Sequence, residues 1–381
     1  MSRPFTQPVL CVVGARPNYM KMAPLLRAMA LEPNAPPTFL CHTGQHYDRA
    51  LNSDLFVDLK MPEPDINLEV GSGSQSVQTA EIMKRFEPVV ERLRPSCVVV
   101  VGDVNSTLAC SLVAVKIGIP VAHVEAGLRS FDRSMPEEIN RVLTDQISDV
   151  LYTSKRGAYA NLAREGIVQE RIHFVGNIMI DSLLEAIKFA VAPKATLQRE
   201  GWGALAIDGP SGYALVTLHR PSNVDDIESL RQVQSILDAV SERLPVVWPL
   251  HPRTAANLQR FGLNQQWVNP RVARLPPVGY LEMAGLMQQA KVVITDSGGV
   301  QEETTALGVP CLTMRPNTER PVTVEQGTNT LVARTQGVVV GSIEEILTSG
   351  GKRGRIPELW DGRTAMRIAR HLTNWVADRN S

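Results

Sequence analysis

The chain has 381 residues, in which 39 Lys and Arg balance 39 Asp and Glu to a formal net charge of zero. That length exceeds what one ordinary hydrophobic core organises and predicts two domains, while the charge balance excludes an overall field that would draw the protein to nucleic acid or to an anionic membrane. With 44% hydrophobic and 20% charged residues the composition is that of a folded enzyme and excludes a disordered or fibrous chain.

The first predicted strand, VLCVVG (9–14), runs into GARPNYMK, which places Arg16 at a strand end and Lys21 in the first turns of the next helix. Met22, Leu25, Leu26 and Met29 follow the spacing of one helical face, so 18–31 reads as an amphipathic helix. Its positive end makes Arg16 and Lys21 a candidate anion grip; the competing reading is two solvated charges. Strands FLCHTG (39–44), CVVVVGD (97–103), VAHVEAG (121–127), VLYTS (150–154) and HFVGN (173–177) follow, with helical patterns between them. Runs that are apolar almost throughout belong to parallel strands covered on both faces. Asp103 ends one of these strands and Glu125 the next, so both side chains are expected at one rim; for Asp103 the alternative is a cap on the helix starting near Asn105. Ser134-Met135-Pro136-Glu137 has the form of a capping box, and on local grounds the cap is the stronger reading of Glu137.

The Pro- and Gly-rich stretch 191–213 reads as a connection. A second series then begins: YALVTLH (213–219), PVVWPL (245–250), VARLPP (272–277), VVITDS (292–297), PCLTM (310–314) and TLVAR (330–334). Two of its strands end in a His followed closely by an Arg, TLHRPSN with His219 and PLHPRT with His251, which makes phosphate binding by His219 plausible and by His251 less so. TDSGGVQEE carries the chain from a strand through Ser297, Gly298 and Gly299 into a helix, leaving bare backbone N–H groups for a diphosphate. Glu302 or Glu303, one turn further on, would accept hydrogen bonds from ribose hydroxyls; the competing readings are an N-cap for Ser297 and dipole-stabilised helix residues for the glutamates. The expected division is an N-terminal domain of 1–190 carrying the carboxylates and a nucleotide-binding domain of 191–361, with a last helix of about 362–381 packing back on the first. Ligands of such α/β folds bind beyond the carboxyl ends of the strands, so the cleft between two such domains is the expected site.

Carboxylates at one rim and a diphosphate grip at another point to proton transfers at a nucleotide sugar. No H-E-x-x-H or Cys/His ligand cluster points to a metal, and no G-x-G-x-x-G follows a strand, so neither a metal nor a nicotinamide cofactor is expected. A C–H beside an acetamido nitrogen is poorly acidic without oxidation. Elimination of the diphosphate from C1 as a base takes the C2 proton circumvents this, and re-addition after protonation from the other face inverts C2.

GARPNYMKMAPL, TGQHYD, GDVNSTLA, HVEAGLRS, MPEEINR, TLHRPSN, LTDSGGVQEE and MRPNTERPVTVEQGTN, in this order, resemble the non-hydrolysing UDP-N-acetylglucosamine 2-epimerases over essentially the whole chain. The resemblance implies two Rossmann-like domains of the GT-B type, a homodimer, no cofactor and reversible C2 epimerisation of UDP-GlcNAc to UDP-ManNAc. It further implies Asp103, Glu125, Glu137 and His219 as catalytic residues. Arg16, Lys21, Arg141, His219, Ser297, Gly298, Gly299 and Glu303 are then substrate contacts. For members that bind a second UDP-GlcNAc as activator, Gln45, His46 and His251 match the effector contacts. The family often has GTRPE where this chain has GARPN, HRREN where it has HRPSN, and an aromatic residue at Met283. These departures leave a further-modified UDP-HexNAc as an alternative substrate. A hydrolysing 2-epimerase releasing UDP and free ManNAc is a second alternative, and a non-catalytic UDP-sugar sensor a third of another class. The five cysteines form no C-x-x-C pair, and the first residues lack a long apolar run, so a cytoplasmic protein is expected.

Overall fold

The apolar runs become strands buried on both faces. The computed structural model describes residues 7–45 and 55–379, which divide into two units, Met1–Ser182 with Glu358–Ser381, and Leu183–Pro357. In unit 1 the strands are β1 (Val9–Val13), β2 (Thr38–His42), β3 (Ile66–Asn67), β4 (Cys97–Val101), β5 (Val121–Ala126), β6 (Val150–Thr153) and β7 (Ile172–Phe174). They form one seven-stranded sheet in the order β3-β2-β1-β4-β5-β6-β7, paired in parallel throughout. The two-residue edge strand β3 has no counterpart among the strands expected from sequence, since it is too short to show a period.

The first helix, Arg16–Leu31, starts two residues before the expected 18 because Pro17 sits in its first turn, where the missing N–H costs nothing. Its face of Met22, Leu25, Leu26 and Met29 is buried. Leu10, Val12, Val98 and Val100 pack with Ile82, Phe86 and Val113 of the helices Gln75–Leu93 and Asn105–Lys116 into one core.

Unit 2 repeats the plan with β8 (Ala214–Thr217), β9 (Val246–Pro249), β10 (Val272–Leu275), β11 (Val292–Thr295), β12 (Cys311–Thr313) and β13 (Asn329–Leu331). The six-stranded sheet has the order β10-β9-β8-β11-β12-β13, again all parallel. Alternate residues enter two separate cores: Val216, Trp248 and Ile294 join Val233, Ile236 and Leu237 of one helix, while Leu215, Val247 and Val293 join Leu286 and Met287 of another. Each sheet therefore reverses its winding once, between β1 and β4 and between β8 and β11, and each reversal opens a crevice at the carboxyl ends of those strands.

The last helix, Thr364–Arg379, lies in unit 1 and packs against the first helix. Its leading amides, Thr364 N–H and Ala365 N–H, donate to the buried Asp181 carboxylate at 3.2 and 2.7 Å, and Tyr152 Oη lies 2.9 Å from His371 Nδ1. No helix among the described residues is long and apolar enough to cross a membrane. Asp181→Ala should lower the unfolding free energy by about 1–3 kcal/mol, because two amides lose their acceptor in a buried setting. Asp181→Asn, which retains an acceptor, should lose less, and denaturant titration of both variants reads the difference.

Candidate active site

The turn after β1 is fixed to β4 by one side chain. Asn18 Oδ1 accepts the N–H groups of Gly14 and Ala15 at 3.1 Å each, and its Nδ2 donates to the Val101 carbonyl at 3.0 Å. One turn on, Lys21 is buried, with its ammonium ion-paired to the Glu125 carboxylate. It also lies against Gly102, where a Cβ would stand 2.9 Å from Lys21 Nζ and where φ is +71°; both favour glycine there. Lys21 is thus engaged inside the protein, which differs from the open anion grip expected of it. Arg16, at the first helical position, is exposed and makes no hydrogen bond or ion pair among the described residues.

Glu125 has φ of +72° and stands where the β5–β6 register shifts between Val124 and Ala126. A non-glycine residue held left-handed at a bulge is strained backbone of the kind found at functional sites. Beside it, Asp103 Oδ2 receives a 2.5 Å hydrogen bond from Arg141 Nη2, and the Asp103 side chain remains 27% exposed. Arg141 Nη1 reaches Glu138 Oε2 at 3.0 Å, and Asn140 Nδ2 donates to the Asp103 carbonyl at 2.9 Å. The helix Pro136–Ile147 is in this way stitched to the end of β4. Burial alone would raise the Glu138 carboxyl, but the N–H groups of Ser130 and Phe131 and the Arg141 guanidinium hold it below the usual carboxylate range.

The capping-box reading of Glu137 is corrected. The N-cap is Met135, with no side-chain cap bond, while the Ser134 amide and hydroxyl both donate to Asp132 Oδ1, at 2.9 and 2.6 Å. Pro136 takes the first helical position and shifts the start by one residue, so Glu137 lies outside the box, exposed and without a hydrogen bond or ion pair among the described residues.

In unit 2 the centre of the site is Asp296, directly after β11 and fully buried. Its carboxylate accepts the N–H of His219 at 3.1 and 3.0 Å, the N–H of Arg220 at 2.9 Å and Asn223 Nδ2 at 2.9 Å, and lies 3.1 Å from His219 Nδ1. Burial would raise this carboxyl, yet His219, Asn223 and the Arg220 amide outweigh it and hold it below the ordinary range. With Nδ1 turned to Asp296, the His219 ring has Nε2 on its opposite edge, and it stacks on His251 at 5.0 Å between centroids. His251 itself caps the helix Pro252–Arg260, its Nδ1 accepting the Arg253 amide at 3.2 Å.

Ser297 occupies the N-cap of the helix Gly298–Leu307 without a side-chain cap bond. A Cβ on Gly298 or Gly299 would meet nothing within 4 Å, so packing does not demand these glycines; close approach of a ligand would. Glu303 is buried, with Tyr280 Oη donating to its Oε1 at 3.3 Å. Burial pushes the Glu303 carboxyl up to about 7, the Tyr280 hydrogen bond opposing the shift and the Glu302 charge adding to it. Glu302 is turned instead to Arg320, at 3.0 Å. Glu319 is clasped by Arg315 at 2.9 and 2.8 Å, which outweighs burial and draws its carboxyl down to about 2.

Unit 1 therefore brings together Lys21, Asp103, Glu125 and Arg141, and unit 2 brings together His219, His251 and Asp296, with Ser297 next to Asp296 in the chain. Gln45 is buried, its Oε1 accepting the Ser106 amide and hydroxyl at 3.1 and 2.7 Å; His46 lies outside the described residues. Asn18 and Asp296 were not among the residues singled out from sequence, although Asp296 directly precedes the serine and glycines that were.

A sequence profile described as UDP-N-acetylglucosamine 2-epimerase matches residues 30–373. The UDP-N-acetylglucosamine 2-epimerase of Methanocaldococcus jannaschii is 42% identical over 95% of this chain and 98% of its own length. A Pseudomonas aeruginosa protein named UDP-2,3-diacetamido-2,3-dideoxy-D-glucuronate 2-epimerase is 38% identical over 96% and 99%. A crystal structure of the M. jannaschii UDP-GlcNAc 2-epimerase with UDP-GlcNAc and UDP superposes with a TM-score of 0.83 at 39% identity, covering 97% of this chain and 100% of that one.

The raised Glu303 carboxyl has a stability signature. Its folded value of about 7 lies above the ordinary 4.5, so the folded state keeps a proton that the unfolded state releases as pH rises between those values, and stability falls across that window. Glu303→Gln should flatten this dependence, as read from denaturation midpoints at pH 4.5 to 7.5; an unchanged slope would show that Glu303 does not carry it.

Proposed function

The chain belongs to the UDP-N-acetylglucosamine 2-epimerase family, and from that premise we propose that it interconverts UDP-GlcNAc and UDP-ManNAc by elimination and re-addition of UDP. The observation that carries this reading is the grouping of Asp103 and Glu125 at neighbouring strand ends in unit 1, with Arg141 of the helix that has Glu137 in its first turn bound to Asp103. One carboxylate takes the proton from C2 while the C1–O bond breaks and its electron pair leaves with the diphosphate, giving a 2-acetamidoglucal. A second carboxyl group returns a proton to the opposite face of C2, and the diphosphate oxygen re-forms the bond at C1. No electron is gained or lost overall.

The reading divides the work between the units. In unit 2 the amides at Gly298 and Gly299, with Ser297, hold the diphosphate at a helix N-terminus. His219, oriented by Asp296, donates from Nε2 to the departing oxygen, and Glu303 accepts from the ribose hydroxyls. In unit 1 Arg16 brings an uncommitted positive charge to the diphosphate, Lys21 holds Glu125 in place, and Arg141 holds Asp103 beside the sugar. The same reading makes the protein a cytoplasmic homodimer, to be checked by its mass in solution.

A second substrate reading, a further-modified UDP-HexNAc, is favoured by the near-equal identity to the Pseudomonas protein, 38% against 42%. NMR of products from a panel of UDP-sugars in deuterium oxide tests both. UDP-ManNAc formed from UDP-GlcNAc, with deuterium at C2, supports the first reading. Turnover confined to a 2,3-diacetamido sugar supports the second, and stoichiometric release of free ManNAc would replace both with the hydrolysing reaction.

Glu137→Gln should remain folded, because its carboxylate bonds to no described residue, and should lose about a hundredfold or more in turnover. Asp103→Asn should lose a similar factor while binding UDP-GlcNAc. Turnover near that of the parent in either variant removes that residue from the proton-transfer set.

A further inference from the structure

His123 lies in β5, two residues before Glu125, and is fully buried. Its Nδ1 stands 2.7 Å from Asp145 Oδ1 and its Nε2 2.8 Å from the Gly102 carbonyl oxygen. A carbonyl oxygen accepts only, so Nε2 must carry a proton. Asp145 Oδ2 accepts the Gly127 amide at 3.0 Å and Arg129 Nη2 at 2.7 Å; burial would raise its carboxyl, yet His123 and Arg129 outweigh it and hold it below the ordinary range. Against an ionised Asp145, Nδ1 donates as well, so the geometry suits a ring protonated at both nitrogens. Such a charge is balanced inside the protein: Asp145 faces His123 and Arg129, and Arg129 continues to Glu165 at 2.7 and 2.6 Å.

The bonds of this pair end on three segments. Gly102 directly precedes Asp103. Gly127 follows β5 just beyond Glu125. Asp145 belongs to the helix Pro136–Ile147, which carries Glu137 in its first turn and Arg141 one turn on. We propose that His123 and Asp145 are positioning residues, a buried imidazolium–carboxylate brace that fixes the mutual placement of the three segments bearing Asp103, Glu125 and Glu137. The proposal rests on the functional reading above for what those three carboxylates do.

The charge is essential to the brace, because a neutral ring has one N–H and would leave either the Gly102 carbonyl or Asp145 without its donor. The other charged groups at these segments are Lys21, against Gly102 and Glu125, Arg141, on Asp103, and Arg129 with Glu165.

The test uses the full chain labelled with 15N-histidine. The His123 resonance is assigned by its absence in His123→Gln, and at pH 7.5 it should show both ring nitrogens protonated. In Asp145→Asn, which keeps the shape but not the charge, the ring should show a single N–H. That variant should also lose about tenfold to a hundredfold in kcat, the effect of a small misplacement of reacting groups, with KM within about threefold of the parent. A neutral-ring signature for His123 in the parent overturns the brace. So does an active parent whose folded Asp145→Asn variant keeps kcat within about twofold. A parent that turns over no UDP-HexNAc overturns instead the functional reading, and the two failures stay distinct. Should either variant fail to fold, the histidine spectrum of the parent, assigned by the remaining one, still decides the charge.

Discussion

The ion pair between Lys21 and Glu125 sets the shape of unit 1 at the carboxyl ends of its strands. Glu125 sits at φ +72°, a conformation that costs a non-glycine residue roughly 1–3 kcal/mol and persists only where the surroundings over-determine it. Here the surroundings are explicit. The Gly102 amide holds the Val124 carbonyl at 3.0 Å just before the bulge, Asp145 holds the Gly127 amide just after it, and the ammonium of Lys21 holds the carboxylate between them. Losing Lys21 would strand a charge that is nearly out of reach of water, and such a loss costs more than the pair itself contributes. The preference for glycine at position 102 follows from its left-handed backbone, φ +71°, and is reinforced by the same lysine.

Parallel strands give each unit one active edge, and the reversal of winding picks one crevice on it. The strands that flank the two reversals, β4 and β11, occupy equivalent places in their sheets and each delivers an aspartate, yet the two serve differently. Asp103 follows a left-handed glycine that carries it outward, and its side chain keeps 27% of its exposure. Asp296 follows β11 directly, has no exposure, and spends its oxygens on two backbone amides, Asn223 and His219. The first keeps part of its carboxylate open to solvent, while the second orients a neighbouring ring. One residue of difference in the turn separates the two outcomes.

That contrast also marks what the sequence could reveal. CVVVV and VVIT are legible as buried parallel strands because they are apolar almost throughout, and the residues after them are then legible as site candidates by topology alone. The glycines at 298 and 299 are legible as candidates for the same reason. The partner of Lys21 is not legible, because it arrives from β5 and a local reading sees only the helix N-terminus. The capping box at Ser134 failed by one residue: Pro136 dictates the first helical position, and Asp132 competes successfully for the serine hydroxyl. Asp296 passed unnoticed because a buried acidic residue at a strand end resembles a loop residue until its donors are known.

Pairing the charges leaves a definite remainder. In unit 1 Lys21 is matched by Glu125, Arg141 by Asp103 and Glu138, and His123 and Arg129 by Asp145 and Glu165. Among the site residues described in that unit, Arg16 and Glu137 alone remain without such a match. Arg16 stands at the first position of its helix, where the helix N-terminus adds to its positive charge. The paired carboxylates have their countercharges inside the protein. Glu137 is the opposite case: free of the brace at its own side chain, it is fixed only through its helix, which Asn140, Arg141 and Asp145 hold from three later positions. Its position is therefore set by the helix start at Pro136, and any change that moves that start by a residue displaces the carboxylate without touching it.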